Sequence, residues 1–118
     1  MEAIKDFKDL RIWQKGIEIV NKVYRITQSF PKEELYGIVS QMRRSAVSIP
    51  SNIAEGFIRR SNREYKQFLY IALGSCAELE TQFIIAKDNS FLNDKDKDEI
   101  IQELNYESRM LMTMIKKL

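Results

Sequence analysis

Histidine is absent from this chain, and cysteine occurs once, at Cys76. Without histidine, the commonest general base and the commonest neutral metal ligand are both missing. A lone cysteine cannot close an intramolecular disulfide, and it fits a reducing compartment. Four glycines and two prolines leave few sharp turns, so long regular elements are expected. Long apolar runs are lacking too: the longest, Phe68 to Leu73, falls far short of the roughly 20 residues that cross a bilayer. The first segment, Met1 to Asp9, is polar and charged, unlike a signal peptide. The expected location is the cytoplasm, with no membrane contact.

What is present has a globular balance, with 44% hydrophobic and 31% charged residues in 118. That length suits one domain spanning the whole chain, with a single ordinary core. No Gly-rich or Ser-rich linker divides it, and no internal repeat is evident. Net charge is only +2, but it is uneven. Between Gln41 and Lys66 the cations Arg43, Arg44, Arg59, Arg60, Arg63 and Lys66 face only Glu55 and Glu64. Acids dominate Asp94 to Glu103 instead.

Apolar spacing predicts four helices. The first should run from about Asp9, its N-cap, to Ser29, burying Trp13, Ile17, Val20, Tyr24 and Thr27. Its stripe of Arg11, Lys15, Glu18, Lys22 and Arg25 should be solvated. Phe30-Pro31 ends it, because proline drives the preceding residue out of helical geometry. Phe30 and Leu35 are placed to staple the next turn. The second helix carries Leu35, Ile38, Val39, Met42, Ala46, Ile49 and Ile53 on one face. Pro50 interrupts its backbone bonding, and a kinked helix is preferred to two separate ones because the apolar phase continues through it. Ser45 and Ser48 are candidates to satisfy the freed backbone groups.

Ser61-Asn62-Arg63-Glu64 is a capping box opening the third helix, which should reach about Asp88 and end at a left-handed Asn89. Its main stripe is Phe68, Ala72, Ser75, Cys76, Leu79, Phe83 and Ala86. A second stripe holds Tyr70, Leu73, Ala77 and Ile84, one more than a monomer needs to bury. Contact with another subunit explains it, as does a deeply central helix in a monomer. Asn93 or Asp94 caps the fourth helix, whose inner face holds Ile100, Ile101, Leu104, Leu111, Met114, Ile115 and Leu118. Short connections make antiparallel neighbours, so the expected fold is an all-α, up-down-up-down four-helix bundle.

Catalytic and metal chemistry find no support. Asp94, Asp96 and Asp98 resemble the start of a calcium loop, but Glu99 and Asn105 stand where that loop needs glycine and a bidentate acid. An acidic helix N-terminus explains the run. Cys76 lies on an apolar stripe with no histidine to activate it, so packing is its expected role. Trp13 is placed in the core rather than on a nucleobase. No phosphate loop, zinc site or nucleophile elbow is present. No enzyme, cofactor or metal is expected.

The arginines are the functional lead. If helical, Arg59, Arg63 and Lys66 share one face, and Arg44 lies about 60° from Arg59. Planar guanidinium groups suit phosphate, because each can engage two oxygens together. A solvated surface with internal ion pairs accounts for the same residues. A symmetric assembly would repeat the patch and strengthen its hold on a polyanion.

Asp9-Leu10-Arg11-Ile12-Trp13-Gln14-Lys15, then Phe30-Pro31 and Glu34-Leu35-Tyr36-Gly37, lead to the most specific stretch, Gln41 to Gly56, reading QMRRSAVSIPSNIAEG. With Glu64, Phe68-Leu69, Ile71-Ala72, Gly74-Ser75 and Glu78-Leu79, the chain from about Asp9 to Asn89 resembles the four-helix-bundle family of 23S rRNA intervening-sequence proteins. Gly16 and Ser45 depart from its pattern, where alanine is common. The resemblance implies a homopentameric ring. It also implies similarity to the accessory protein of diversity-generating retroelements, which binds nucleic acid and a reverse transcriptase. Arg43, Arg44, Asn52 and Glu55 match the family's polar positions, Asn52 and Glu55 as supports for the kinked helix and its arginines. The leading expectation is a non-enzymatic oligomer that binds RNA or DNA through Arg43, Arg44, Arg59, Arg60, Arg63 and Lys66. A protein-interaction adaptor, for example for a reverse transcriptase, is the second. A small-molecule enzyme is the third.

Overall fold

The computed structural model describes residues 4–118, so the polar first segment is seen from Ile4 onward. The described residues form α1 (Arg11–Thr27), α2 (Ser40–Phe57), α3 (Asn62–Asp88) and α4 (Asp94–Lys117), with no strand. Each helix packs mainly on its two neighbours around a square: α1 on α2 and α4, α3 on α2 and α4. The result is the expected four-helix bundle, elongated at 47 × 24 × 19 Å.

The buried stripe of α1 is Ile12, Gly16, Ile19, Val23 and Thr27, which shares Thr27 with the expected face and otherwise runs one position out of phase with it. Trp13 and Val20 are half-buried on its flank, and Tyr24 is exposed. Both stripes repeat every three or four residues, and Gly16 hides the true one because it adds no hydrophobicity. Its value is closeness: a Cβ there would lie 3.3 Å from the Pro50 Cβ and 3.3 Å from the Glu107 Oε2. The expected Asp9 cap is not made. Asp6 accepts from the Lys8 amide at a short 3₁₀ turn, and Leu10 precedes α1 without a side-chain cap. The charged stripe of α1 is not simply solvated either, since Lys15 and Lys22 turn toward α4.

Pro31 is followed by a 3₁₀ turn (Lys32–Glu34) and a wide turn (Leu35–Val39) in which Gly37 leaves helical geometry. Leu35 is largely exposed, while the buried Phe30 meets Phe91 with ring centroids 5.6 Å apart. Beyond this turn α2 runs continuously through Pro50, one helix rather than two, burying Met42, Ala46, Ile49, Pro50 and Ile53. The serines serve α3 instead of the freed backbone. Ser45 donates to Glu78 at 2.6 Å, and the Ser48 and Ser75 hydroxyls bond at 2.8 Å.

Ser61 accepts from the Glu64 amide at 3.1 Å, so the expected N-cap opens α3, while the Glu64 carboxylate accepts from the Ser61 hydroxyl at 3.2 Å rather than from the Ser61 amide. Its inner stripe is Tyr65, Leu69, Ala72, Cys76, Leu79, Phe83 and Ala86. Length and mean hydropathy (1.3) alone would let α3 cross a membrane, but this stripe packs into the bundle core. The left-handed residue after it is Ser90 (φ 65°), while Asn89 keeps a negative φ. Asn93 caps α4 by accepting from the Asp96 amide at 2.7 Å. The acidic run is therefore a helix start, where the macrodipole favours negative charge.

Candidate nucleic-acid interface

The six basic candidates do not form one patch. Arg43 and Arg44 sit near the start of α2, while Arg59 and Arg60 lie in the turn after Phe57, and Arg63 and Lys66 open α3. Because the helix stops before Arg59, helical phase cannot align that residue with Arg63 and Lys66 or with Arg44. What links the groups is an exposed ridge along α2: Arg44, Val47, Ser51, Glu55 and Ile58. At 1.5 Å per residue, its two ends stand about 20–25 Å apart.

The arginines differ in how far they are committed. Arg59 is held by Glu55 at 2.8 Å and Glu64 at 3.8 Å, with its guanidinium 4.9 Å from the centre of the Phe68 ring. This exposed pairing already spends its charge on the turn. Arg44, Arg60, Arg63 and Lys66 have no carboxylate within 4 Å among the described residues. Arg43 also lacks an acid, yet it is fixed from within. Its Nε donates to the Thr27 hydroxyl at 3.0 Å, and its guanidinium lies 4.6 Å from the centre of the Tyr24 ring. Thr27 is buried and donates to the Val23 carbonyl at 2.7 Å, so the anchor belongs to the core.

Asn52 bonds within the bundle through its side-chain nitrogen. Its amide donates to the Ser48 carbonyl at 2.8 Å and to the Ser48 hydroxyl at 2.9 Å, joining the Ser48–Ser75 clamp between α2 and α3. Glu55 positions Arg59.

Sequence reasoning missed two aromatic neighbours of the first basic group. Tyr36 is 93% exposed on the turn before α2, and Tyr24 flanks Arg43. With Leu35, Ser40, Arg43, Arg44 and Val47 they line an open cleft of about 410 Å³. The signal for Tyr36 was its place beside Gly37, where a helix would otherwise bury or solvate side chains by period alone.

A buried titratable group was also missed, while Cys76 is buried on α3 as expected. Glu107 is fully buried on the inner face of α4, and neither carboxylate oxygen has a protein hydrogen-bond partner. Desolvation pushes its carboxyl up to about 8, Lys15 opposing and Glu18 reinforcing the shift. It falls on the apolar series Ile100, Leu104, Leu111 and Ile115, which was its sequence signal. Burial likewise pushes the Cys76 thiol up to about 12, far from the thiolate that nucleophilic chemistry needs. Half-buried Glu103 accepts from Lys22 at 2.6 Å and Lys15 at 3.0 Å. Burial would raise its carboxyl, but the two lysine hydrogen bonds prevail and lower it. Lys22 is raised, chiefly by its hydrogen bond to Glu103.

The profile of 23S rRNA-intervening sequence proteins matches residues 8–113, and the chain belongs to that family. It is similar in fold to a solved structure from Bacteroides thetaiotaomicron, a protein of unknown function from the S23 ribosomal protein family. That likeness has a TM-score of 0.83 and 21% identity, covering 89% of this chain and 95% of the other. Among curated proteins no match is found.

Proposed function

We propose that this chain is a non-enzymatic, cytoplasmic nucleic-acid-binding protein that holds the RNA or DNA backbone along the α2 ridge. The observation that carries this reading is a ridge with acid-free arginines at both ends, Arg44 at one and Arg60 and Arg63 at the other. Uncommitted guanidinium groups bind phosphate without first breaking an ion pair.

Assembly of several copies, such as the pentamer the family resemblance implies, would multiply this ridge. Two separate apolar surfaces support that part of the reading. One is the α1–α2 groove of Trp13, Ile17, Val20, Val47, Pro50 and Ala54. The other is the outer face of α3, where Tyr70, Ile71, Ile84 and Ile85 are exposed and a Cβ at Gly74 would meet nothing. Joining two unlike faces between copies is the head-to-tail contact from which rings close.

The test is binding of structured and unstructured RNA and DNA across a salt series. Affinity should fall steeply with salt, and the slope should shrink in Arg44→Ala and in Arg60→Ala/Arg63→Ala. Undetectable binding at low salt, or variants that bind like the parent, would refute it. Light scattering that reports a monomer would refute the assembly.

A second reading is an adaptor that docks a protein, for example a reverse transcriptase, on the exposed apolar face of α3. Salt-insensitive capture of such a partner, lost in Tyr70→Ser/Ile84→Ser, would favour it over the first.

A further inference from the structure

An aromatic side chain that is almost wholly exposed, next to arginines without acids, has no role in the bundle core. Tyr36 is such a residue, and the backbone explains its position. Gly37 takes φ −109° and ψ −115°, outside helical geometry, within the wide turn that precedes α2. Tyr36 and Leu35 of this turn line the cleft together with Tyr24, Ser40, Arg43, Arg44 and Val47. Tyr24, Leu35 and Val47 are each at least 40% exposed as well. Burying these groups against a flat apolar object would be favourable, yet the cleft is flanked by cations that repel a basic partner.

The Arg43 guanidinium is already ordered. Its Nε is taken by Thr27, and its central carbon lies over the Tyr24 ring, 4.6 Å from the ring centre. Its terminal nitrogens make no hydrogen bond to another side chain of the described residues. Placing a second planar group here therefore orders few additional rotamers, which keeps the entropic cost of binding low. Two phenol rings, an ordered guanidinium, a hydroxyl and a free arginine are the components with which single strands are held. Bases stack on aromatic or guanidinium planes, hydroxyls meet base edges, and the second arginine takes phosphate.

We propose that this cleft takes one unstacked nucleotide of a single-stranded RNA or DNA, its base against Tyr36 and its phosphate on Arg44. The proposal rests on the nucleic-acid reading above and narrows it from backbone binding to a preference for unpaired bases. A duplex keeps its bases stacked and cannot insert one without unpairing.

The test measures fluorescence anisotropy of labelled oligouridylate, oligoadenylate, their deoxy counterparts, and the matching duplexes, at low salt, with the whole protein. Single strands should bind more tightly than duplexes. Tyr36→Ala should lose about tenfold or more on single strands, with duplex affinity little changed, and Tyr36→Phe should restore the loss. Tyr36 is a surface side chain, so circular dichroism should show both variants folded. A ribose preference separates the RNA and DNA sources. If Tyr36→Ala binds single strands like the parent while Arg60→Ala/Arg63→Ala weakens them, the cleft is refuted and the ridge stands. If no nucleic acid binds the parent, both are refuted. If Tyr36→Ala instead abolishes capture of a protein in the adaptor assay without touching oligonucleotide binding, the cleft serves a protein and this assignment is wrong.

Discussion

Gly16 of α1 faces the carboxyl of Glu107 on α4, so closely that a Cβ on Gly16 would stand 3.3 Å from Oε2. The same missing side chain admits Pro50 of α2. Three helices thus meet at a glycine, a proline and a buried acid. The glycine allows the approach. Neither Glu107 oxygen finds a protein partner there, and burial raises its carboxyl to about 8, which favours the neutral form below that pH.

Glu107 should make stability fall as pH rises. Its folded value is about 8 against an ordinary 4.5, so between those values the unfolded chain releases a proton that the folded chain keeps. The unfolded state is then favoured progressively, and the loss is complete above the folded value. Glu107→Gln should abolish that part of the slope and gain on the order of a few kcal/mol at alkaline pH. Urea unfolding of both proteins from acid to alkaline pH checks it; parallel pH profiles would sink it.

Glu103 should act in the opposite direction. Its carboxyl is lowered by Lys22 and Lys15, so its contribution is present above the ordinary 4.5 and lost as pH falls through the lowered value. Glu103→Gln should cost about 1–2 kcal/mol at neutral pH, the range of a charge-assisted hydrogen bond that is only part-buried. The cost should vanish in strong acid. Thermal melts at neutral and acid pH compare the two.

Two glycines should respond with opposite signs to alanine. At Gly56 a Cβ would lie 2.7 Å from the Phe68 Cβ and 3.2 Å from the Tyr65 carbonyl oxygen. Gly56→Ala must push α3 away from α2, with an expected loss of about 1–3 kcal/mol. Gly74 has open space around it, so Gly74→Ala should add up to about 1 kcal/mol through helix propensity. Denaturant midpoints measured on both variants decide this.

Cys76 should be inert while the protein is folded. It is buried, and desolvation raises its thiol to about 12. Iodoacetamide at neutral pH should label it only after denaturant is added. Rapid labelling of the native protein would show that α3 opens far more readily than its core stripe implies.

Much of the bundle was legible because its signals are local. The Ser61 and Asn93 caps and the apolar series of α4 each lie within a turn or two of sequence. The phase of α1 was not legible. Trp13, Ile17 and Val20 form a stripe as regular as Ile12, Ile19 and Val23, and only the neighbouring helices choose between them. The candidate basic surface was half legible. Charge counting found the arginines, but the exposed Tyr36 and the Arg43–Thr27 bond depend on an irregular turn and a residue 16 positions away.

The sequence by itself determined four helices, their order, their ends to within a few residues except the start of α2, which lies at Ser40 rather than just after Pro31, and the concentration of arginine in the middle of the chain. These follow from spacing and capping, which act over a turn of helix. Tertiary structure alone decided which stripe of α1 is buried, that Arg43 is anchored on Thr27, and that a glutamate lies in the core beside Gly16. Those outcomes depend on groups far apart in the chain, and only packing brings them within reach of one another.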